Sequence, residues 1–144
     1  MVCTFFGHRE CYGLEENRLL QAIENLIGQG VDTFYVGNHG GFDGMVHACL
    51  KRLSKQYSHI HYCVVLAYLP MEKREYDDFS DAIHPEGIEL GPPKFAIQRR
   101  NQWMIQQSDY CLCYITHMWG GAYQFVRQAK HGGLHVINLG GIHF

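Results

Sequence analysis

Charge is scarce in this chain and nearly balanced. Only 18% of its 144 residues are charged, and the net charge is −2 with histidine neutral. That leaves no basic surface for wrapping nucleic acid or coating an acidic membrane, so neither partner is expected. No apolar run reaches the roughly 18 residues of a membrane span. The opening "MVCTFFGHRE" lacks the basic region and long apolar stretch of a signal peptide. Internal repeats and low-complexity segments are missing too. Several chemical signatures are absent as well. There is no C-x-x-C for redox or zinc chemistry, no H-E-x-x-H, no phosphate-binding P-loop and no G-x-G-x-x-G dinucleotide fingerprint. Neither a metal nor a cofactor is therefore expected, and no lysine motif points to pyridoxal phosphate.

What is present is apolar. At 47% apolar residues the chain can build a core, and its length suits a single domain over residues 1–144. The six cysteines fall within that apolar pattern. Cys63, Cys111 and Cys113 lie in strand-like runs, and Cys49 lies on a helical stripe. They read as small core residues of a reduced compartment, which makes a cytoplasmic protein the expectation.

Two periodicities alternate along the chain. Apolar runs at residues 2–6, 31–36, 61–69, 109–116 and 134–139 predict strands. Between them, apolar residues at helical spacing predict helices through Leu19–Ile27, Phe42–Tyr57, Lys94–Gln107 and Ala122–Ala129. Strands alternating with helices imply a parallel sheet covered on both faces. The expected fold is α/β, a three-layer, doubly wound, Rossmann-like sheet of about five strands in the order 3-2-1-4-5. Residues 70–93, rich in charge, aromatics, Gly and Pro, are expected to form a long surface loop, either a plain excursion or a lid or partner-binding segment.

In such a sheet, ligands bind beyond the carboxyl ends of the strands, where the strand order reverses. Three glycine-bearing turns converge there. The first strand is followed by Gly7, His8 and Arg9, the second by "GNHGGFD" with Gly37, His39, Gly40, Gly41 and Asp43. The fourth is followed by Thr116, His117, Gly120 and Gly121. A glycine pair opening a helix permits close approach of an anion to free backbone N–H groups at the positive end of the helix dipole. Arg9 adds a charge-assisted contact. The plainer alternative for any one pair is a tight strand-to-helix turn. In "QRRNQW", Arg99, Arg100 and Asn101 form either a solvated helix face or a further ligand contact. Asp43 is a catalytic candidate, with helix N-capping as its plain alternative. The ten histidines show no metal-site spacing. Trp103, Trp119 and Tyr123 suit either an interface or the core or a pocket wall.

The segments "FFGHRE", "GNHGGFDGMVHACL", "FAIQRRNQWMIQQSDYCLCYI" and "GGAYQFVRQAKHGG", in that order, resemble the SLOG superfamily over nearly the whole chain. The likeness is to its small single-domain bacterial members. The resemblance implies a Rossmann-like fold, frequent self-association and a nucleotide-related ligand at the strand edge. Relatives in that superfamily include cytokinin-activating nucleoside-monophosphate phosphoribohydrolases, nucleotide-derivative sensor domains and a DNA-processing protein. By position, Gly7, His8 and Arg9 match the first motif; Gly37, Gly40, Gly41 and Asp43 the second; Arg100 and Asn101 the third; Gly120 and Gly121 the phosphate-binding turn. The hydrolases carry P-G-G-x-G-T-x-x-E with a catalytic Glu. Here Trp119 stands for the Pro, Tyr123 and Gln124 for the G-T, and Arg127 for the Glu. The resemblance thus implies a nucleotide-binding or ADP-ribose-sensing module first. An N-glycosidase acting on nucleoside 5′-monophosphates and a protein-interaction module are the alternatives.

Overall fold

A computed structural model describes residues 1–68, 81–88 and 91–144. Its strands are β1 (Val2–Gly7), β2 (Thr33–Val36), β3 (His61–Val65), β4 (Ala82–Ile83), β5 (Tyr110–Tyr114) and β6 (His135–Asn138). The helices are α1 (Glu16–Gly28), α2 (Gly41–Gln56), α3 (Ala96–Gln107) and α4 (Gly121–His131). All strand pairs are parallel, in the order β4-β3-β2-β1-β5-β6. The expected doubly wound order is present, with one strand added at the edge.

That extra strand is β4, where Ala82 and Ile83 pair with Val64 and Val65 of β3. It lies within the segment expected to be a loop. Two residues show no periodicity, so pairing geometry alone reveals the strand. The same segment is tied down from α3, where Arg99 donates to the carbonyls of Ile88 and Pro92. The lid or partner-binding reading of residues 70–93 falls largely on residues 70–80 and 89–90, outside the described residues.

The long apolar runs hide a two-sided alternation, as expected for strands buried on both faces. Cys3, Phe5, Leu112 and Tyr114 pack with Leu19, Ile23, Val46 and Leu50 of α1 and α2. Phe6, Cys111, Cys113 and Ile115 pack with Met104 of α3 and Tyr123, Val126 and Ala129 of α4. The result is three layers, with the sheet between two helical layers and β2 and β1 in its middle. All six cysteines are free thiols. Helix α3 starts later than its pattern predicts, because Pro93–Phe95 forms a 3-10 turn first. No described helix is long and apolar enough to cross a membrane.

Candidate functional site: a crevice at the switch point

The chain winds outward in opposite directions from β1 and β5, so their carboxyl ends open a gap between the two following turns. Hydrogen bonds tie these turns together. The His8 N–H donates to the Tyr114 carbonyl (3.3 Å), and the Thr116 N–H donates to His8 Nε2 (3.0 Å). On the other side, the Gly41 N–H donates to the Arg9 carbonyl (2.7 Å). The first turn is thus laced to the starts of both α2 and the α4 approach.

A crevice of about 170 Å³ lies at this point, lined by residues including Gly7, His39, Asp43, Arg100, Asn101 and Gly121. Both helices that begin beside it have a glycine N-cap, Gly40 for α2 and Gly120 for α4. Each has φ of 94°, a conformation essentially closed to other residues. A side chain added at Gly121 would meet nothing within 4 Å, so the space beside its Cα is open. Gly7 and Gly37 have a different role. A Cβ at Gly7 would overlap the Phe42 ring, and one at Gly37 would press on the Arg100 guanidinium and the Asp43 carboxylate. These two glycines make room for protein atoms.

Arg100 is the buried centre of the site, at 2% exposure. Its guanidinium donates to Asn101 Oδ1 (2.6 Å), the Val65 carbonyl (3.0 Å), Asn38 Oδ1 (3.3 Å) and His39 Nδ1 (3.3 Å). It thereby joins α3, the end of β3 and the turn after β2. Since arginine only donates, His39 accepts at Nδ1 and is neutral there. Burial, Arg100 and then Arg9 all push its pKa down, which agrees. Arg99, the adjacent candidate, points away from the crevice toward Ile88, Gly91 and Pro92. Adjacent positions on a helix are rotated by about 100°, so only one of the two arginines can face the sheet.

Asp43 is the third residue of α2 and not its N-cap. Its carboxylate accepts the His39 N–H (3.0 Å), a reach back from the first turn. It is 9% exposed, and burial raises its pKa to about 6 despite the opposing pull of that hydrogen bond and of Arg100. A carboxyl group this perturbed, inside a crevice, is equipped for proton transfer near neutral pH.

Arg9 is exposed on the rim, with its backbone packed against Gly40. Arg127 is exposed on α4 with its guanidinium 5.8 Å from the Tyr123 ring centre. It lines a wider, shallow depression of about 680 Å³ with Lys130, His131 and His143. That depression is larger than the crevice but lies on the far side of α4 from the switch point. The crevice is the better candidate because the three turns and the buried polar groups meet there.

Asn38 and Asn138 carried no sequence signal of their own, and Trp119 was marked only as an interface, core or pocket-wall aromatic. Asn38 is a ligand of Arg100. Asn138, at the end of β6, bonds both the N–H (2.8 Å) and the carbonyl (3.0 Å) of Ile115 and so fixes where the 116–121 turn departs. Trp119 stacks on His117 at 3.7 Å between ring centres, and His117 stacks on His8 at 3.7 Å. A single Asn or Trp in a turn is ordinary, and only the three-dimensional juxtaposition distinguishes these. Among the described residues, no three His, Cys, Asp or Glu side chains are grouped to hold a metal. No family model matches the chain, and no curated protein matches it significantly.

Proposed function

We propose that this protein binds a phosphorylated, nucleotide-like ligand, of AMP or ADP-ribose type, at the switch-point crevice. One observation carries the reading. Two helices with the same glycine-capped start begin beside one crevice, and Gly121 at the head of α4 is open above its backbone. The Gly41 N–H is taken by the Arg9 carbonyl, so the anion is expected at the start of α4, where first-turn N–H groups lack intrahelical partners and the helix dipole favours negative charge. Arg9 on the rim adds a cation to the approach. The sequence resemblance to SLOG proteins supports the same ligand class. It also supports a cytoplasmic, bacterial type of protein that self-associates.

A second reading is an N-glycosidase that releases the base of a nucleoside 5′-monophosphate. Asp43 favours it, as a crevice carboxyl group with its pKa raised to about 6. The expected position of the hydrolase Glu is filled by Arg127, which lies outside the crevice. Sensing therefore remains the first reading.

The test is a thermal-shift and calorimetric titration with AMP, ADP-ribose and ribose 5-phosphate, followed by chromatography of each mixture. A ligand selective for the folded state raises the melting temperature. Intact ligand with a raised midpoint is the expected result. Arg9→Ala and Gly121→Val are expected to weaken binding while the protein stays folded. Released base would establish the hydrolase. Absence of binding by all three compounds would leave a protein-interaction role.

A further inference from the structure

The crevice is too small for the whole ligand it is proposed to take. Ordinary ligand cavities run to roughly 300–1,000 Å³, against about 170 Å³ here. A phosphate and part of a ribose fill such a space, and a base must lie outside it, on the rim.

The rim carries a built aromatic surface. Trp119 is 68% exposed, and the neighbouring Met118 is 65% exposed. The indole lies flat on the His117 imidazole, 18° from parallel, and His117 lies on His8, 15° from parallel. The stack is pinned at both ends. His8 Nε2 accepts the Thr116 N–H, and His117 Nδ1 bonds the Trp119 carbonyl at 2.9 Å. An exposed tryptophan normally loses conformational freedom when a ligand binds it; here two backed rings have already fixed the indole plane. The stack also joins the two turns that form the crevice, since His8 follows Gly7 and Trp119 precedes the Gly120 cap.

We infer that the outer face of Trp119 is a stacking platform for the heteroaromatic base of the ligand, a purine in the first instance. This rests on the nucleotide reading of the crevice. A flat indole held by stacked imidazoles offers a π-face to a base without hydrogen-bond readout, so the platform discriminates a base from no base more than one base from another.

The experiment is titration of the full chain with AMP, adenosine and ribose 5-phosphate, in wild type, Trp119→Ala and Trp119→Phe, read by calorimetry and tryptophan fluorescence. Solution mass is measured alongside. The expected result is that Trp119→Ala weakens AMP and adenosine roughly 5- to 150-fold, leaves ribose 5-phosphate unchanged, and that Trp119→Phe restores most of the loss. Adenosine bound through Trp119 with no affinity for ribose 5-phosphate would support the platform and remove the phosphate subsite. Wild-type binding of AMP that Trp119→Ala leaves intact would overturn the platform and spare the nucleotide reading. A change of solution mass in Trp119→Ala with unchanged affinity would overturn it too, assigning the surface to self-association. No binding of any probe by the wild type would overturn both.

Discussion

Gly40 and Gly120 have the same backbone conformation, φ 94° in both with ψ 173° and 172°, although they lie in different crossover units. Each carbonyl accepts the first helical hydrogen bond at 3.2 Å, from Gly44 and Gln124 respectively. The same local device thus starts the two helices on either side of the crevice. An L side chain in this region costs on the order of 1–3 kcal/mol. Gly40→Ala and Gly120→Ala are both expected to lower stability by about that much in urea denaturation. Gly40→Ala should be the worse, because a Cβ there comes within 3.0 Å of the Arg9 Cα, whereas at Gly120 the nearest atom is 3.9 Å away.

Gly7 and Gly121 separate packing from ligand access. The Gly7→Ala methyl would overlap the buried ring of Phe42 on α2, so that variant should lose at least about 1–3 kcal/mol. Gly121→Ala meets open space and should change stability by under about 0.5 kcal/mol. Equal effects in chemical denaturation would contradict this division.

Arg100 holds three elements together from a buried position. Arg100→Ala would leave the Val65 carbonyl and the side chains of Asn38 and Asn101 without their donor. A loss of about 3–5 kcal/mol is expected, as for other broken buried charge networks. Arg100→Lys should recover little, since one ammonium cannot reproduce the fork. Denaturant midpoints of the two variants decide it.

Asp43 predicts a particular pH dependence. Its folded pKa of about 6 stands above the ordinary 3.8, so between these values the folded protein binds more protons than the unfolded chain. Stability from this group therefore falls as pH rises through that window and recovers as pH falls, by up to roughly 3 kcal/mol. Asp43→Asn keeps an acceptor for the His39 N–H and should flatten this part of the profile. An identical slope between pH 4 and 6 in wild type and variant, in stability measured against urea, would remove the assignment.

The site was legible in sequence to different depths. Glycines between an apolar run and a helical pattern marked the turns after β1, β2 and β5, as pairs in the last two, where the helix caps take the positive φ that glycine serves. The same signal could not separate Gly121, which is open, from Gly7 and Gly37, which accommodate Phe42 and the Arg100–Asp43 pair. Arg99 and Arg100 are chemically identical neighbours, and only the packing of α3 on the sheet decides which is buried. Edge strand β4 was invisible because its two residues gain their identity from pairing with β3.

By itself, the sequence determined what depends on local order: alternating strands and helices, their parallel winding, and a strand reversal with a polar edge. Hydrophobic period and chain connectivity are one-dimensional properties, and the handedness of crossovers converts them into a fold. Tertiary structure alone decided what depends on distance between remote residues. Burial raised the Asp43 pKa, the ends of β3 and the β2 turn claimed Arg100, and two turns met to stack His8, His117 and Trp119. Desolvation and stacking act over a few ångströms in space, and the chain brings those groups together from positions up to 111 residues apart.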